Sequence, residues 1–351
     1  MNKKIRSIGS TGLLSLALLA MVIIATGTGA MQVSPGQVVA ILLKQVGISL
    51  PVTYDESMEG VLWSIRLPRV VLAVLVGAGL ALAGAALQGL FRNPLADPSL
   101  IGVSSGASLT TVMMIVLQSA IPFLQFNGVL GFYALNIATF IGAALAVLFV
   151  FRISAYGRTT QMTTMLLAGI AVNALCNAIT SMMTYLSSNE QLRSIAFWTM
   201  GSLGGASWQT VLAVLPFILI PAVMLPRMGQ ALNVFALGER EAMHSGVKVG
   251  RLKTQLVIYS TMAVAAGVAV AGIISFIGLV VPHIVRQFTG ADHRLLIPCS
   301  AITGAILLTG ADLLCRTVVA PAELPVGIVT AIIGAPFFIW LIIKEKRTTA
   351  I

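Results

Sequence analysis

The sequence has 351 residues, of which 58% are hydrophobic and only 9% are charged. This is too little charge to cover a water-soluble protein of this size, so most of the surface must face lipid. The net charge of +10 is spread over short polar segments between apolar runs, which argues against a nucleic-acid partner. Composition therefore predicts an all-α, polytopic membrane protein.

The chain begins with a basic segment, Met1 to Arg6, which is followed by an apolar run from about Gly12 to Ala30. This order is typical of a signal peptide and also of a first membrane span. Because a run of about 20 residues is long enough to cross a bilayer, and because the rest of the chain is also apolar, we interpret it as the first span.

Ten apolar stretches have the length of a membrane span. They cover residues 12–31, 62–91, 98–118, 131–151, 162–186, 207–226, 253–273, 275–290, 298–319 and 326–344. Only Gly272 to Ser275 separates the seventh from the eighth, so two helices, one broken helix or a re-entrant segment all stay open there. The pattern predicts a single membrane domain over residues 1–351.

Lysine and arginine positions predict the orientation. With ten spans and a cytoplasmic N-terminus, 16 of the 21 basic residues lie inside and five lie outside. We therefore expect both termini in the cytoplasm, an outer loop at about residues 32–61 and an inner loop at about residues 227–253. The five outer basic residues are Lys44, Arg66, Arg69, Arg193 and Arg316.

The sequence lacks motifs for nucleotide binding, catalysis or metal binding. It has no Gly-Lys dipeptide and hence no phosphate-binding loop, so any ATP must be hydrolysed by another polypeptide. The one carboxylate within a span, Asp312, lies one turn before Arg316 and is interpreted as a structural ion pair. Cys176, Cys299 and Cys315 lie in apolar runs and are expected to be core residues. We expect no catalytic residue, no metal site and no bound cofactor on this chain.

Arg66-Leu-Pro-Arg69 opens the second span on its outer side, where proline suits a first helical turn. Both arginines could anchor the helix end by extending to lipid headgroups. Together with Arg316 they could instead form a cationic outer ring that binds carboxylates of a docking protein. Composition alone leaves these two interpretations open.

The fifth span carries a polar stripe. Asn173, Asn177, Ser181 and Thr184 recur at helical spacing and therefore share one face. Such a face is costly against lipid, so we expect it to point inward. It could serve interhelical hydrogen bonding, or it could form the weakly polar wall of a translocation path, which is the interpretation we favour.

Five segments between residue 60 and the end carry a family resemblance. They are Gln88-Gly89 with Arg92-Asn93-Pro94-Leu95-Ala96-Asp97-Pro98, then Ala236 to Val247, then Ile274 to Arg286, then Gly290 to Arg294, and Glu323 to Phe338. With the Arg66-x-Pro-Arg69 start, they resemble the iron-siderophore and cobalamin permease family (FecCD-type) of bacterial ABC importers. Ser245 departs from the family pattern, in which a leucine stands at that place.

The resemblance implies a type II ABC importer permease bundle of ten spans in the bacterial cytoplasmic (inner) membrane. It implies as partners a second permease subunit, which is a copy or a paralogue, two cytoplasmic ABC ATPase subunits and an extracytoplasmic binding protein. The implied cargo is an iron(III)-siderophore or a related chelate. The alternative is a stand-alone secondary transporter or channel, which the lack of a carboxylate relay in mid-span disfavours.

The resemblance also implies roles for individual residues. Arg66, Arg69 and Arg316 are similar to the arginines that pair with glutamates of the binding protein. A coupling helix that contacts the ATPase is expected around Leu237, Gly238, Glu239, Arg240, Ala242, Ser245 and Gly246. His283 and His293 are not expected to bind iron, because two separated histidines without converging carboxylates do not make an iron site.

Overall fold

The structure is a computed structural model and describes residues 3–29, 31–45, 47–118, 128–156 and 159–349. The two ends of the predicted domain, residues 1–2 and 350–351, lie outside the described residues, as does Arg158, one of the predicted inner charges. The described chain is helical apart from turns and one pair of two-residue strands, β1 (Ala155–Tyr156) and β2 (Thr159–Thr160).

The helices follow one another in this order: α1 (Lys3–Gly27), α2 (Pro35–Lys44), α3 (Glu56–Val61), α4 (Leu67–Phe91), α5 (Val103–Leu117), α6 (Gly128–Ile153), α7 (Met162–Tyr185), α8 (Asn189–Met200), α9 (Trp208–Arg227), α10 (Gly229–Leu237), α11 (Glu239–His244), α12 (Val249–Ala271), α13 (Ile277–Thr289), α14 (His293–Thr317) and α15 (Val326–Thr349). A π-helical turn, Leu62–Arg66, joins α3 to α4, and a 3₁₀ turn, Pro98–Ile101, precedes α5.

Each predicted span contains a helix. Within the described residues, six helical segments are long and apolar enough to cross a membrane: Glu56–Phe91, Tyr133–Ile153, Met162–Tyr185, Trp208–Arg227, Val249–Ala271 and His293–Thr317. The predicted outer loop contains α2, and the predicted inner loop contains α10 and α11. Helix α8 was not predicted, because its 12 residues are too polar and too short to register as a span.

The seventh and eighth predicted spans are two separate helices. Helix α12 ends at Ala271, and the backbone then takes positive φ angles of 69° at both Gly272 and Phe276 before α13 begins. A helix cannot continue through such angles. Helix α13 has 13 residues. At 1.5 Å per residue it is about 20 Å long, which is shorter than the roughly 30 Å hydrocarbon core.

Helix α4 forms the centre of the bundle and packs against α9, α12, α13 and α14. Nearly all of its side chains from Leu67 to Leu90 are buried. Small residues allow this, because a Cβ added at Gly84 would collide with the carbonyl group of Gly278 on α13. The run of glycine and alanine in this span therefore brings backbones close together, as small residues do in membrane helix pairs.

Candidate functional site

The first candidate site lies where α4, α14 and the turn after α14 meet. Arg69, at the start of α4, binds two carboxylates at once. Its Nε lies 2.9 Å from Oδ1 of Asp312, and its Nη1 lies 2.9 Å from each carboxylate oxygen of Glu323. Asp312 also pairs with Arg316, whose Nε lies 3.0 Å from Oδ2. The predicted ion pair between Asp312 and Arg316 is confirmed.

Arg66 joins this group through backbone rather than carboxylate contacts. Its guanidinium donates to the carbonyl oxygens of Thr26, Gly27 and Met31, and the Gly27 bond is 2.9 Å long. Arg316 likewise donates to carbonyl oxygens at the end of α1, among them that of Ala25 at 3.0 Å. The two arginines thereby fix the C-terminal end of α1, where helix carbonyl groups lack intrahelical partners.

The five side chains Arg66, Arg69, Arg316, Asp312 and Glu323 are called the outer arginine cluster below. Arg66 and Arg69 are buried. The interpretation that they extend to lipid headgroups is therefore wrong, since both are held within the chain. Their role in docking stays a prediction. Sequence analysis missed Glu323 as a partner, although the residue stands at the head of the last family motif.

The second candidate site is the predicted coupling segment. Helix α10 ends at Leu237, and Gly238 follows with φ 149° and ψ 155°. A side chain would be strained there, and a Cβ at Gly238 would collide with the carboxylate of Glu241. Helix α11 then runs from Glu239 to His244, so the predicted helical pattern in this segment is confirmed.

The coupling segment, from Leu237 to Gly246, presents different residues to the protein and to solvent. Ala242 is fully buried, whereas Leu237 and Met243 are large apolar side chains that stay exposed. Arg240 and Ser245 are exposed as well, as is Gly246. A cleft of about 430 Å³ lies between α11 and the start of α12, lined by residues that include Met243, Val247 and Arg251. An exposed apolar surface next to a cleft is typical of a protein interaction site.

An ion pair between a buried lysine and a partly exposed glutamate connects α11 to the membrane bundle. Lys253, in the first turns of α12, is 2% exposed, and its Nζ lies 2.8 and 2.9 Å from the two carboxylate oxygens of Glu239. Two cations lie near the ring of Phe235: Nζ of Lys253 is 5.9 Å and the guanidinium carbon of Arg92 is 5.4 Å from its centre. Arg92 belongs to the family motif that follows α4. Sequence analysis missed this pair, because a spacing of 14 residues is not a helical contact distance.

A hydrogen-bond network connects α10 to α14. Asn233 donates to Asp292 at 2.6 Å and accepts from the backbone N–H of His293 at 2.9 Å. Asp292 caps α14 by accepting from the backbone N–H of Arg294. Hydrogen bonds from the Arg294 side chain hold the pKa of Asp292 well below its usual range. His293 therefore has a structural position in this network.

No group of three or more His, Cys, Asp or Glu side chains that could hold a metal ion occurs among the described residues. The cysteines are buried, as the sequence predicts: Cys176, Cys299 and Cys315.

The third candidate site is the polar stripe of α7, which the structure divides into two parts. Asn173 faces the bundle: its amide nitrogen donates to the carbonyl oxygen of Ser99 at 3.1 Å, and its amide oxygen accepts from Ser105. Asn177 and Ser181 lie exposed on the surface of the isolated chain. The hydroxyl of Thr184 bonds to its own helix, at the carbonyl oxygen of Thr180. A path lined by Asn177 and Ser181 therefore needs a second surface to complete it.

Comparison with known proteins places the chain among membrane transporters. The family model described as the FecCD transport family matches residues 17–344. The chain belongs to the FecCD transport family. It is thus a multi-pass permease subunit of an ABC importer, in accordance with the resemblance seen in the sequence.

Similar proteins support this family assignment over nearly the whole chain. The hemin transport system permease protein HmuU of Yersinia pestis is 44% identical over 306 residues, which cover 86% of this chain and 90% of that protein. The cobalamin import system permease protein BtuC of Halobacterium salinarum is 42% identical over 296 residues, covering 84% and 76%. A solved metal-chelate type ABC transporter in an inward-facing conformation is 32% identical and superposes with a TM-score of 0.82, covering 95% of this chain and 98% of that one.

Proposed function

We propose that this FecCD permease subunit forms one half of a translocation path for an intact metal chelate. The observation that carries the proposal is the exposed polar part of α7. Asn177 and Ser181 lie in the C-terminal half of a 24-residue span, one turn apart, and contact with lipid hydrocarbon is costly for amide and hydroxyl groups. A second permease subunit facing α7 would give these groups a polar, hydrated surrounding.

The energy for transport comes from separate ATPase subunits in this proposal. The end of α10 and helix α11 offer the exposed apolar residues Leu237 and Met243 to such a partner, and the ion pair between Glu239 and Lys253 connects α11 to α12. Helix α12 packs against α4, α6 and α9, so a displacement of α11 reaches the centre of the bundle. Both chain ends and this segment lie in the cytoplasm, in accordance with the distribution of lysine and arginine.

The outer arginine cluster is the proposed docking site for an extracytoplasmic binding protein. Its three guanidiniums and two carboxylates leave one net positive charge. A partner that offers carboxylates is therefore attracted. The attraction weakens with salt, because the partner's own charges lie in solvent before contact and are screened over about 8–10 Å at physiological ionic strength.

The cargo class follows from the relatives rather than from a binding pocket. HmuU is named for hemin and BtuC for cobalamin, and the similar solved transporter is of metal-chelate type. We infer a bulky chelate carried with its metal enclosed. An iron(III)-siderophore, which the family resemblance implies, belongs to this class together with hemin and cobalamin.

Uptake into proteoliposomes tests the proposal. The permease is reconstituted with its ATPase subunits facing the vesicle interior, which contains ATP. The binding protein is supplied on the outer side of the membrane. Hemin, cobalamin, a ferric hydroxamate siderophore and free ferric ion are offered in turn. We expect ATP-dependent accumulation of one intact chelate and none of free ferric ion. Uptake of free ferric ion, or of none of the three chelates, would overturn the cargo class.

A further inference from the structure

Glu323 differs from the other members of the outer arginine cluster in its exposure and its place in the fold. Its side chain is 50% exposed, against 10% for Arg69 and 1% for Asp312. It lies in the turn between α14 and α15 rather than in a helix of the bundle. Even so, both of its carboxylate oxygens lie 2.9 Å from Nη1 of Arg69.

The two carboxylates that bind Arg69 are held with different strength. Asp312 is buried between Arg69 and Arg316, and removing it would leave two arginines with an uncompensated charge in a buried place. Glu323 contacts water, and exposed ion pairs of this kind contribute little because solvent and salt screen them. The Glu323 carboxylate can therefore be exchanged for another, whereas that of Asp312 cannot.

From this difference we propose that the Glu323 carboxylate binds Arg69 in the free permease, at the place that a carboxylate of the binding protein takes on docking. The binding protein then displaces Glu323 from Arg69. The inference rests on the docking role proposed above and adds a competitor within the chain. Arg69 then keeps its bond to Asp312 throughout and exchanges only its second carboxylate. Docking then requires no additional positive charge on the permease, and only the Glu323 carboxylate has to leave Arg69.

Glu323 lies next to two segments that belong to the membrane bundle. The next residue, Leu324, donates its backbone N–H to the carbonyl oxygen of Cys315 at 3.2 Å, and α15 begins two residues later. On its other side Glu323 lies beside Gly204 in the segment after α8, where a Cβ would stand 3.6 Å from Oε2 of the carboxylate. The carboxylate that is displaced therefore lies close to the start of α15 and to the segment after α8.

Affinity measurements on the complete permease–ATPase complex in lipid nanodiscs test the inference. The probe is the binding protein that stimulates ATP hydrolysis by the wild-type complex. Three variants are compared with wild type: Glu323→Gln, which removes the competitor; Arg69→Lys, which keeps the charge but loses the planar fork; and Glu56→Gln as control. Glu56 is an exposed carboxylate in the first turn of α3 on the same outer side, and it takes part in none of the ion pairs between described residues.

We expect Glu323→Gln to dock about two- to fivefold more tightly than wild type, the range set by an exposed ion pair, and to do so beyond any effect of Glu56→Gln. Arg69→Lys is expected to dock more weakly. If Arg69→Lys weakens docking while Glu323→Gln does not tighten it beyond Glu56→Gln, the competition is refuted and the docking role stands. If Arg69→Lys docks like wild type, the docking role itself is refuted, and the competition with it. Basal ATP hydrolysis in each variant reports that the complex is folded.

Discussion

The ion pair between Lys253 and Glu239 makes a quantitative prediction about energy coupling. Helix α11 has only six residues, too few to be stable without contacts to the rest of the protein. Glu239→Gln removes a charge-assisted bond of the kind that contributes about 1.5–3 kcal/mol. The lower part of that range applies, because the Glu239 side chain is 31% exposed. At about 1.4 kcal/mol per factor of ten, α11 should detach from α12 roughly tenfold more often.

Two assays on the reconstituted complex test this prediction. Hydrogen exchange of the 238–246 segment should become faster in Glu239→Gln, and cargo uptake per ATP hydrolysed should fall. Lys253→Met should show the same loss, although Lys253 is 2% exposed and cannot itself contact the ATPase. Glu241→Gln is the matched control, since Glu241 is exposed on the same helix and is in no ion pair of the described residues.

The double variant separates stability from coupling. Replacing both partners of a buried pair is often nearly neutral for stability, so Lys253→Met with Glu239→Gln should recover part of the lost thermal stability. Coupling should stay low, because the connection between α11 and α12 is still missing. Wild-type uptake per ATP in both single variants would refute the proposed connection.

Three further predictions concern other parts of the chain. Ala242→Pro removes the backbone bond from Ala242 to Gly238, 3.1 Å long, and should abolish transport-linked ATP hydrolysis while the protein still inserts, which an ATPase assay on purified complex measures. Gly84→Ala should lower the thermal unfolding temperature, because its Cβ would collide with the carbonyl group of Gly278 at a cost of about 1–3 kcal/mol. Gly79→Ala should be tolerated, because its Cβ would lie 3.4 Å from the side chain of Ile218. In a cysteine-free background, N177C and S181C should react with a water-soluble thiol reagent at rates that change with the bound nucleotide. If neither cysteine reacts in any nucleotide state, the polar stripe serves helix packing and not a path.

The sequence predicts the helices well because hydrophobic runs report membrane burial directly. It could not choose between one helix and two near Gly272, because the decisive feature is a positive φ at Phe276, which local propensity does not favour. Resemblance to a family, rather than periodicity, located the coupling segment.

Prediction was weaker for contacts between distant residues. Arg69 and Glu323 are 254 positions apart, and no periodic pattern connects them. The polar spacing of α7 placed four residues on one face, but it could not show that Asn173 is bonded inside the bundle while Asn177 is exposed. That difference depends on where α5 packs, which is a property of the assembled bundle.

The most direct test of the central claim compares three proteoliposome preparations of this permease. One contains the permease with active ATPase subunits, one contains it with ATPase subunits that bind but do not hydrolyse ATP, and one contains the permease alone under an imposed proton or sodium gradient. With the binding protein and its chelate supplied outside, we predict uptake only in the first preparation. Uptake in the third would contradict the account and identify the chain as a stand-alone transporter.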